Sequence, residues 1–360
     1  MQKGKRSQSF IQFLLRRLIY ALVSFFLITM VLYGGVMLIP AEARAQLYWP
    51  IVKGERFGSE NLTKTIIRDH HLNDPAPIQY AYWLKSLFDG TWGYSPSLHE
   101  DVLPALQRRT PVTLELALYS LLVAIPLGLW SGLRAGWQPR RPFDLIFRGC
   151  AYVGLSMPPF ILAMLLIAVF YAQLRWFPPG RLDDVLAMQL VKGSFQNVTG
   201  MITIDALLNA RMDVFVNALR HLVMPVFTLA LYHWATLGRI ARTMIMDESR
   251  KDYLMAARGR GITEGSLIRN HALPAILAPS LTGIALSAAS IVTGVYVVEV
   301  MFNLPGISNV IVGAMSFQPD APAVLGFSVY TVILVIVLML VLDILQALVD
   351  PRVRAETLQS

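Results

Sequence analysis

Cysteine is almost missing from this 360-residue chain: Cys150 is the only one. That excludes an internal disulfide framework and any cysteine-based metal cluster. Charge is scarce too. Asp, Glu, Lys and Arg make up 15% of the residues and hydrophobic residues 55%, against roughly a quarter charged in soluble domains, and mean hydropathy is +0.53. This balance argues against a soluble globular protein and makes a bilayer the relevant solvent. No Gly-x-x-x-x-Gly-Lys-Ser/Thr phosphate loop occurs, so ATP hydrolysis of the usual kind is not expected from this chain. No Ser-His-Asp order, paired-carboxylate site or zinc motif stands out, and no enzyme chemistry is expected. Internal repeats of 20–50 residues and low-complexity segments are likewise not evident.

What the chain does have is long apolar runs. A spanning helix needs about 20 mostly apolar residues, and six stretches qualify: 18–39, 116–133, 149–174, 222–238, 273–298 and 324–342. The fourth is the shortest and contains His233. The first resembles a secretory signal, with basic residues before it and Ala41, Ala43 and Ala45 after it. Its uncharged run exceeds the usual signal core of about 7–15 residues, so an uncleaved anchor is expected.

The net charge of +8 is unevenly distributed along the chain. The N-terminus, the two stretches between spans two and three and between four and five, and the C-terminus together hold 18 basic residues against seven acidic ones. The remaining loops are neutral. By the positive-inside rule both termini are expected in the cytoplasm, and the charge reflects topology rather than a nucleic-acid partner. The external segments are then 40–109 and 175–221. The first mixes Trp49, Tyr80, Tyr82, Trp83, Phe88, Trp92 and Tyr94 with Gly and Pro, a composition expected to fold rather than stay disordered. The expected layout is a tail and first span over 1–39, an external region over 40–109, and a core over 110–360.

Ionisable residues in membrane segments are functional candidates by default. Glu115, Glu299 and Asp343 fall near span ends. Glu299, beside the Phe302, Pro305 and Gly306 turn, is the best placed for a pathway or gating role, with a structural hydrogen bond as the other reading. His221 and His233 read as packing residues. Adjacent His70 and His71, with Asp69 and Asp74, do not converge on one metal ion. Pro126, Pro158, Pro159 and Pro279 are expected to interrupt spans, where freed backbone groups are tolerated against protein or a cavity.

The most informative stretch is 239–274, the inner loop between spans four and five. A helix is expected over 247–260, with Asp247 and Glu248 in its first turn and Arg258 and Arg260 in its last. Gly261 stops it, and a second helix begins near Thr263 with Thr263 or Ser266 as cap. Two short helices meeting at a glycine form a knob able to dock into another protein's groove.

The order Ala256-Ala257, three residues, Gly261, then Leu273-Pro274 resembles the cytoplasmic "EAA" loop of permease subunits of ABC importers. Met255 stands where that pattern has Glu, and His271 where it has Ile, a variation that favours the peptide and nickel branch. Further pieces are similar to that branch: Leu14-Leu15-Arg16-Arg17-Leu18; Asn73-Asp74-Pro75 through Gln79-Tyr80, then Trp83-Leu84 and Gly93-Tyr94-Ser95; Arg109-Thr110-Pro111-Val112-Thr113-Leu114-Glu115; Trp176-Phe177-Pro178; Glu299-Val300-Met301-Phe302 with Pro305-Gly306; and Asp350-Pro351-Arg352. Pro40-Ala41-Glu42-Ala43 departs from the branch's Pro-Gly-Asp-Pro.

The resemblance implies an all-α membrane protein of six transmembrane helices, like a type I ABC importer permease, with a cytoplasmic coupling helix and structured external loops. It implies a bacterial inner-membrane importer for di- or oligopeptides, with nickel or another small solute as the alternative. Its partners would be a second permease subunit, two ATP-binding cassette ATPases that bind the ATP and magnesium, an extracytoplasmic binding protein and membrane lipid. No cofactor is expected in this chain. The coupling-loop residues would be Asp252, Ala256, Ala257, Arg258, Gly261, His271, Leu273 and Pro274. From a different class, an ion-gradient transporter calls for charged residues near mid-membrane, which the six spans hardly offer.

Overall fold

The computed structural model describes residues 2–45, 60–193, 195–316 and 320–349. In chain order they form α1 (Gln2–Val36), α2 (Ala41–Arg44), α3 (Glu60–Asp69), α4 (Ala76–Phe88), β1 (Tyr94–Ser95), β2 (Glu100–Asp101), α5 (Val102–Trp137), α6 (Pro142–Ser156), α7 (Pro159–Leu166), α8 (Asp184–Lys192), α9 (Ile202–Leu208), α10 (Met212–Ser249), α11 (Asp252–Gly259), α12 (Glu264–Leu267), α13 (Leu273–Met301), α14 (Ser308–Ser316) and α15 (Ala321–Val349). Two π-helical turns, Ile167–Gln173 and Ile268–Ala272, continue α7 and lead into α13. The strands form an antiparallel pair, with Tyr94 opposite Asp101. The Asp350-Pro351-Arg352 match lies outside the described residues.

Among the described residues, five helices are long and apolar enough to cross a bilayer: Ile11–Val36, Val102–Trp137, Met212–Ser249, Gly283–Met301 and Ala321–Ile344. The third expected span, 149–174, is not one straight helix. α6 and the segment from Pro159 meet at 103°, so the chain has six spans only if this bent pair is one of them. The cause is local. A residue before proline is pushed out of the helical region, and Met157 is extended at φ −92°, ψ 116°. Pro159 then starts the next helix, where its missing N–H costs nothing. By contrast α5 runs unbroken through Pro126, and α13 through Pro279. The shortest apolar stretch, 222–238, lies in the longest helix, the 38-residue α10, because its polar flanks stay helical. At 1.5 Å per residue α5 and α10 measure about 54 and 57 Å, well beyond a hydrocarbon core of about 30 Å.

Packing divides the chain into two units. One is Leu15–Pro111 with Pro305–Val337. Its core holds Tyr33, Trp83, Leu325 and Val329, and Tyr33 stacks on Trp83 at 4.9 Å. Several residues of the external resemblance prove to be internal ties here. Arg44 donates to the Gln79 side-chain oxygen and to the Leu72 carbonyl, while Gln79 Nε2 donates to the Asp74 carbonyl at 2.6 Å. Ser95 and Ser97 hydroxyls donate to Asp320 Oδ2 at 2.5 and 2.7 Å. Asp320 also caps α15, accepting from Ala323 N at 3.0 Å. His71 pairs with Asp74 at 2.8 Å and stacks on Tyr82.

The other unit contains Val112–Leu304, and α10 is its axis, with over half of its most apolar window buried (56%). Against it runs α5. Gly128, Gly132 and Gly136 lie four residues apart on one face, which brings the two backbones together. A Cβ on Gly132 would overlap the Gly238 carbonyl and one on Gly136 the Arg242 carbonyl, while one on Gly128 would sit 3.1 Å from the Trp234 oxygen. Next to this seam Arg242 holds fully buried Asp144 through two hydrogen bonds, Nε to Oδ1 at 2.6 Å and Nη2 to Oδ2 at 3.0 Å. A small apolar cluster of Ile202, Ala206, Val214 and Ala218 supports the segment between α7 and α10. Buried Glu115 fastens that segment, accepting from Thr203 N and Oγ1 at 2.8 and 2.6 Å and from Arg181 Nη2 at 3.1 Å.

Candidate functional site

Loop 239–274 folds as a knob with its own core, though its first helix does not start at Asp247. Asp247 and Glu248 close α10, and the chain turns at Arg250 and Lys251 before α11 begins at Asp252. Neither Gly nor Pro marks this break, and the apolar periodicity runs on through Ile245. Glu248 instead serves the turn: Lys251 Nζ approaches its Oε2 at 2.7 Å and the Tyr253 hydroxyl donates to Oε1 at 2.5 Å. Desolvation, then this bond to Glu248, pushes the Tyr253 phenol up to about 12.

α11 is amphipathic. Leu254 and Ala257 are buried and join Leu267, Ala272, Ile245 and Ile276 in one cluster, against which Leu133, Trp137, Met244 and Ile262 pack. Asp252, Tyr253, Met255, Ala256 and Gly259 are exposed. The Ala256-Ala257 pair is therefore split, with Ala257 packed inward and Ala256 presented outward. The helix closes in a Schellman turn: Ile262 N donates to the Ala257 carbonyl and Gly261 N to that of Arg258. Gly261 supplies the required left-handed backbone at φ +80°.

Thr263 stands at the N-cap of α12, but its hydroxyl makes no capping bond there. Ser266 Oγ accepts from Asn270 instead. His271 lies in the π turn, and its Nδ1 is buried without a partner. Pro274 explains that turn in part, because it lacks the N–H that would bond the Asn270 carbonyl in an α-helix. Leu273 opens α13 beside it.

Three side chains lock the knob. Arg258 Nε donates to Glu264 Oε1 at 2.9 Å, Trp137 Nε1 to Glu264 Oε2 at 2.9 Å, and the Arg258 guanidinium lies 5.3 Å from the Trp137 ring centre. The Arg258 guanidinium holds the Glu264 carboxyl below its usual range. Neither Trp137 nor the glycine seam was singled out by the motif reading. The four-residue spacing of Gly128, Gly132 and Gly136 is the signal that locates the seam; nothing local marks Trp137.

Glu299 and Phe302 are fully buried in the unit of α10, where the Thr113 hydroxyl donates to Glu299 Oε1 at 2.5 Å and the Phe302 carbonyl accepts from Gly180 N at 2.7 Å. Three residues on from Phe302, Pro305 is exposed, and Gly306 after it is buried. His221 makes a packing bond, Nδ1 to the Asn217 carbonyl at 2.9 Å.

Long apolar helices, two of them in backbone contact, and a knob folded between α10 and α13 define a multi-pass α-helical membrane protein. Residues 124–355 match the family described as binding-protein-dependent transport system inner membrane component, and the chain belongs to that family. It is 33% identical over 304 residues to the probable D,D-dipeptide transport system permease protein DdpB of Escherichia coli, covering 84% of this chain and 87% of that protein. Identity is 30% over 345 residues to the di/tripeptide transport system permease protein DppB of Pseudomonas aeruginosa, with 96% and 99% covered. It is 31% over 288 residues to the oligopeptide transport system permease protein AppB of Bacillus subtilis, with 80% and 83% covered.

Proposed function

We propose that this chain is a permease subunit of an ATP-driven importer of short peptides. It would form the pathway with a second permease subunit and receive its energy through the 252–274 knob. One observation carries the coupling part. The knob buries Leu254, Ala257 and Leu267 in a core shared with Ile245 of α10 and Ile276 of α13 while leaving Tyr253, Met255, Ala256 and Gly259 exposed on α11. A loop that needed only to connect two spans would not need that core. The small side of α11, Ala256 and Gly259, suits close approach to a groove in an ATPase subunit. ATP and magnesium would be bound there and not in this chain, and a binding protein would deliver substrate on the opposite face, with both termini on the ATPase side. The relatives' dipeptide and oligopeptide names support the substrate class.

Two measurements test this reading. The chain, expressed with the permease, ATPase and binding-protein subunits encoded beside it, should restore uptake of a labelled di- or tripeptide to a strain lacking its own peptide permeases, and should copurify with the ATPases. Uptake of nickel but no peptide would overturn the substrate class. Transport by the purified chain alone in vesicles, driven by an ion gradient, would overturn the mechanism.

A further inference from the structure

The knob is joined to the membrane helices covalently through α10 and α13. Residues 268–272 form a π turn that runs without a break from α12 into α13. The joint to α10 is a two-residue turn at Arg250 and Lys251. A third contact is made by side chains. Trp137, the last residue of α5, is gripped from two sides: Glu264 of α12 accepts its indole N–H at 2.9 Å, and Arg258 of α11 covers its ring. Arg258 is itself fixed, by Glu264 and by the Ser249 carbonyl at 3.2 Å. Beneath this clamp Leu133 and Trp137 pack against the buried cluster that includes Leu254, Ala257 and Leu267.

The glycine seam ends at Gly136, the residue immediately before Trp137. The overlaps that a Cβ would make at Gly132 and Gly136 mean that α5 and α10 touch backbone to backbone, and such a contact has little room to slide. A displacement of Trp137 therefore moves both helices together.

We propose that Trp137 is the positioning residue through which the knob drives the α5–α10 pair, so that the stroke enters the membrane by α5 and not by α13 alone. This rests on the coupling reading above. It assigns Arg258 and Glu264 the task of holding the indole, with the exposed face of α11 left free for the ATPase.

The test uses the complete transporter, with its ATPases and binding protein, in proteoliposomes. Copurification of the ATPases and peptide moved per ATP hydrolysed are read separately. Trp137→Ala should keep its membrane level and its ATPase subunits but lose roughly tenfold in peptide per ATP, the scale of a typical coupling free energy. Trp137→Phe keeps a ring beneath Arg258 without the N–H for Glu264, and should fall between the two. An unchanged ratio in Trp137→Ala would overturn the proposal, and so would loss of the ATPases, which would make Trp137 part of the docking fold. Failure of the unsubstituted chain to hold any ATPase would instead count against the coupling reading itself.

Discussion

Arg258 and Glu264 face each other across the Gly261 turn, Nε to Oε1 at 2.9 Å, tying the end of α11 to the first residue of α12. The guanidinium keeps the Glu264 carboxyl below its ordinary value, which is about 4.3. A carboxylate with a depressed folded-state pKa contributes fully above its unfolded value, and the contribution is lost as pH falls through the folded one. Hydrogen exchange of the 252–267 amides, corrected for the intrinsic rate, should therefore show constant protection from neutral pH down to about 5, then a decline in acid below about 4. In Glu264→Gln that acid component should vanish.

Gly261 has open space around its Cα but a left-handed backbone. Strain rather than collision therefore decides what it tolerates. Gly261→Val should cost at least about 1–2 kcal/mol of local stability and loosen the Schellman turn. ATPase copurification should drop while the permease stays in the membrane. Gly265→Ala, also without neighbours and with no left-handed backbone, should leave copurification unchanged.

The α5–α10 seam is sensitive to one methyl group. Gly132→Ala places a carbon against the Gly238 carbonyl, and should destabilise the detergent-solubilised protein by about 1–3 kcal/mol, as overpacking does, seen as a lower midpoint of thermal aggregation. Gly149→Ala on α6, with nothing nearby, is the matched control.

Glu115 holds two groups from the segment between α7 and α10. Glu115→Ala would leave Thr203 and Arg181 without its carboxylate, a loss of about 1.5–3 kcal/mol for hydrogen bonds to a charged group. The segment should then be cut faster in limited proteolysis, between Lys192 and Arg211, with the transmembrane helices intact. Arg181 is partly exposed, so Arg181→Ala should accelerate cutting less than Glu115→Ala.

Much of this structure is written locally. The apolar runs place the membrane helices, Gly261 sets the end of α11, and Pro158-Pro159 contains the reason for the bend, although the unbroken apolar run around it reads as one span. The misses are of two kinds. Asp247 and Glu248 have the composition of a helix start but close α10, because the turn at Arg250 and Lys251 has no residue that demands it. The ties Glu115 to Thr203 and Ser95 to Asp320 join positions 88 and 225 residues apart, and nothing local in either partner names the other. Trp137 belongs with these: its partners lie on α11 and α12, over a hundred positions further on.

The length of α5 has a mechanical consequence. A rod of about 54 Å, tilted by about 10° around its centre, moves its two ends some 5 Å in opposite directions. On the coupling route proposed above, the part beyond the hydrocarbon would act as a lever arm, and a nudge of a few ångströms against Trp137 would need no unwinding or shortening of the helix to be felt along its length.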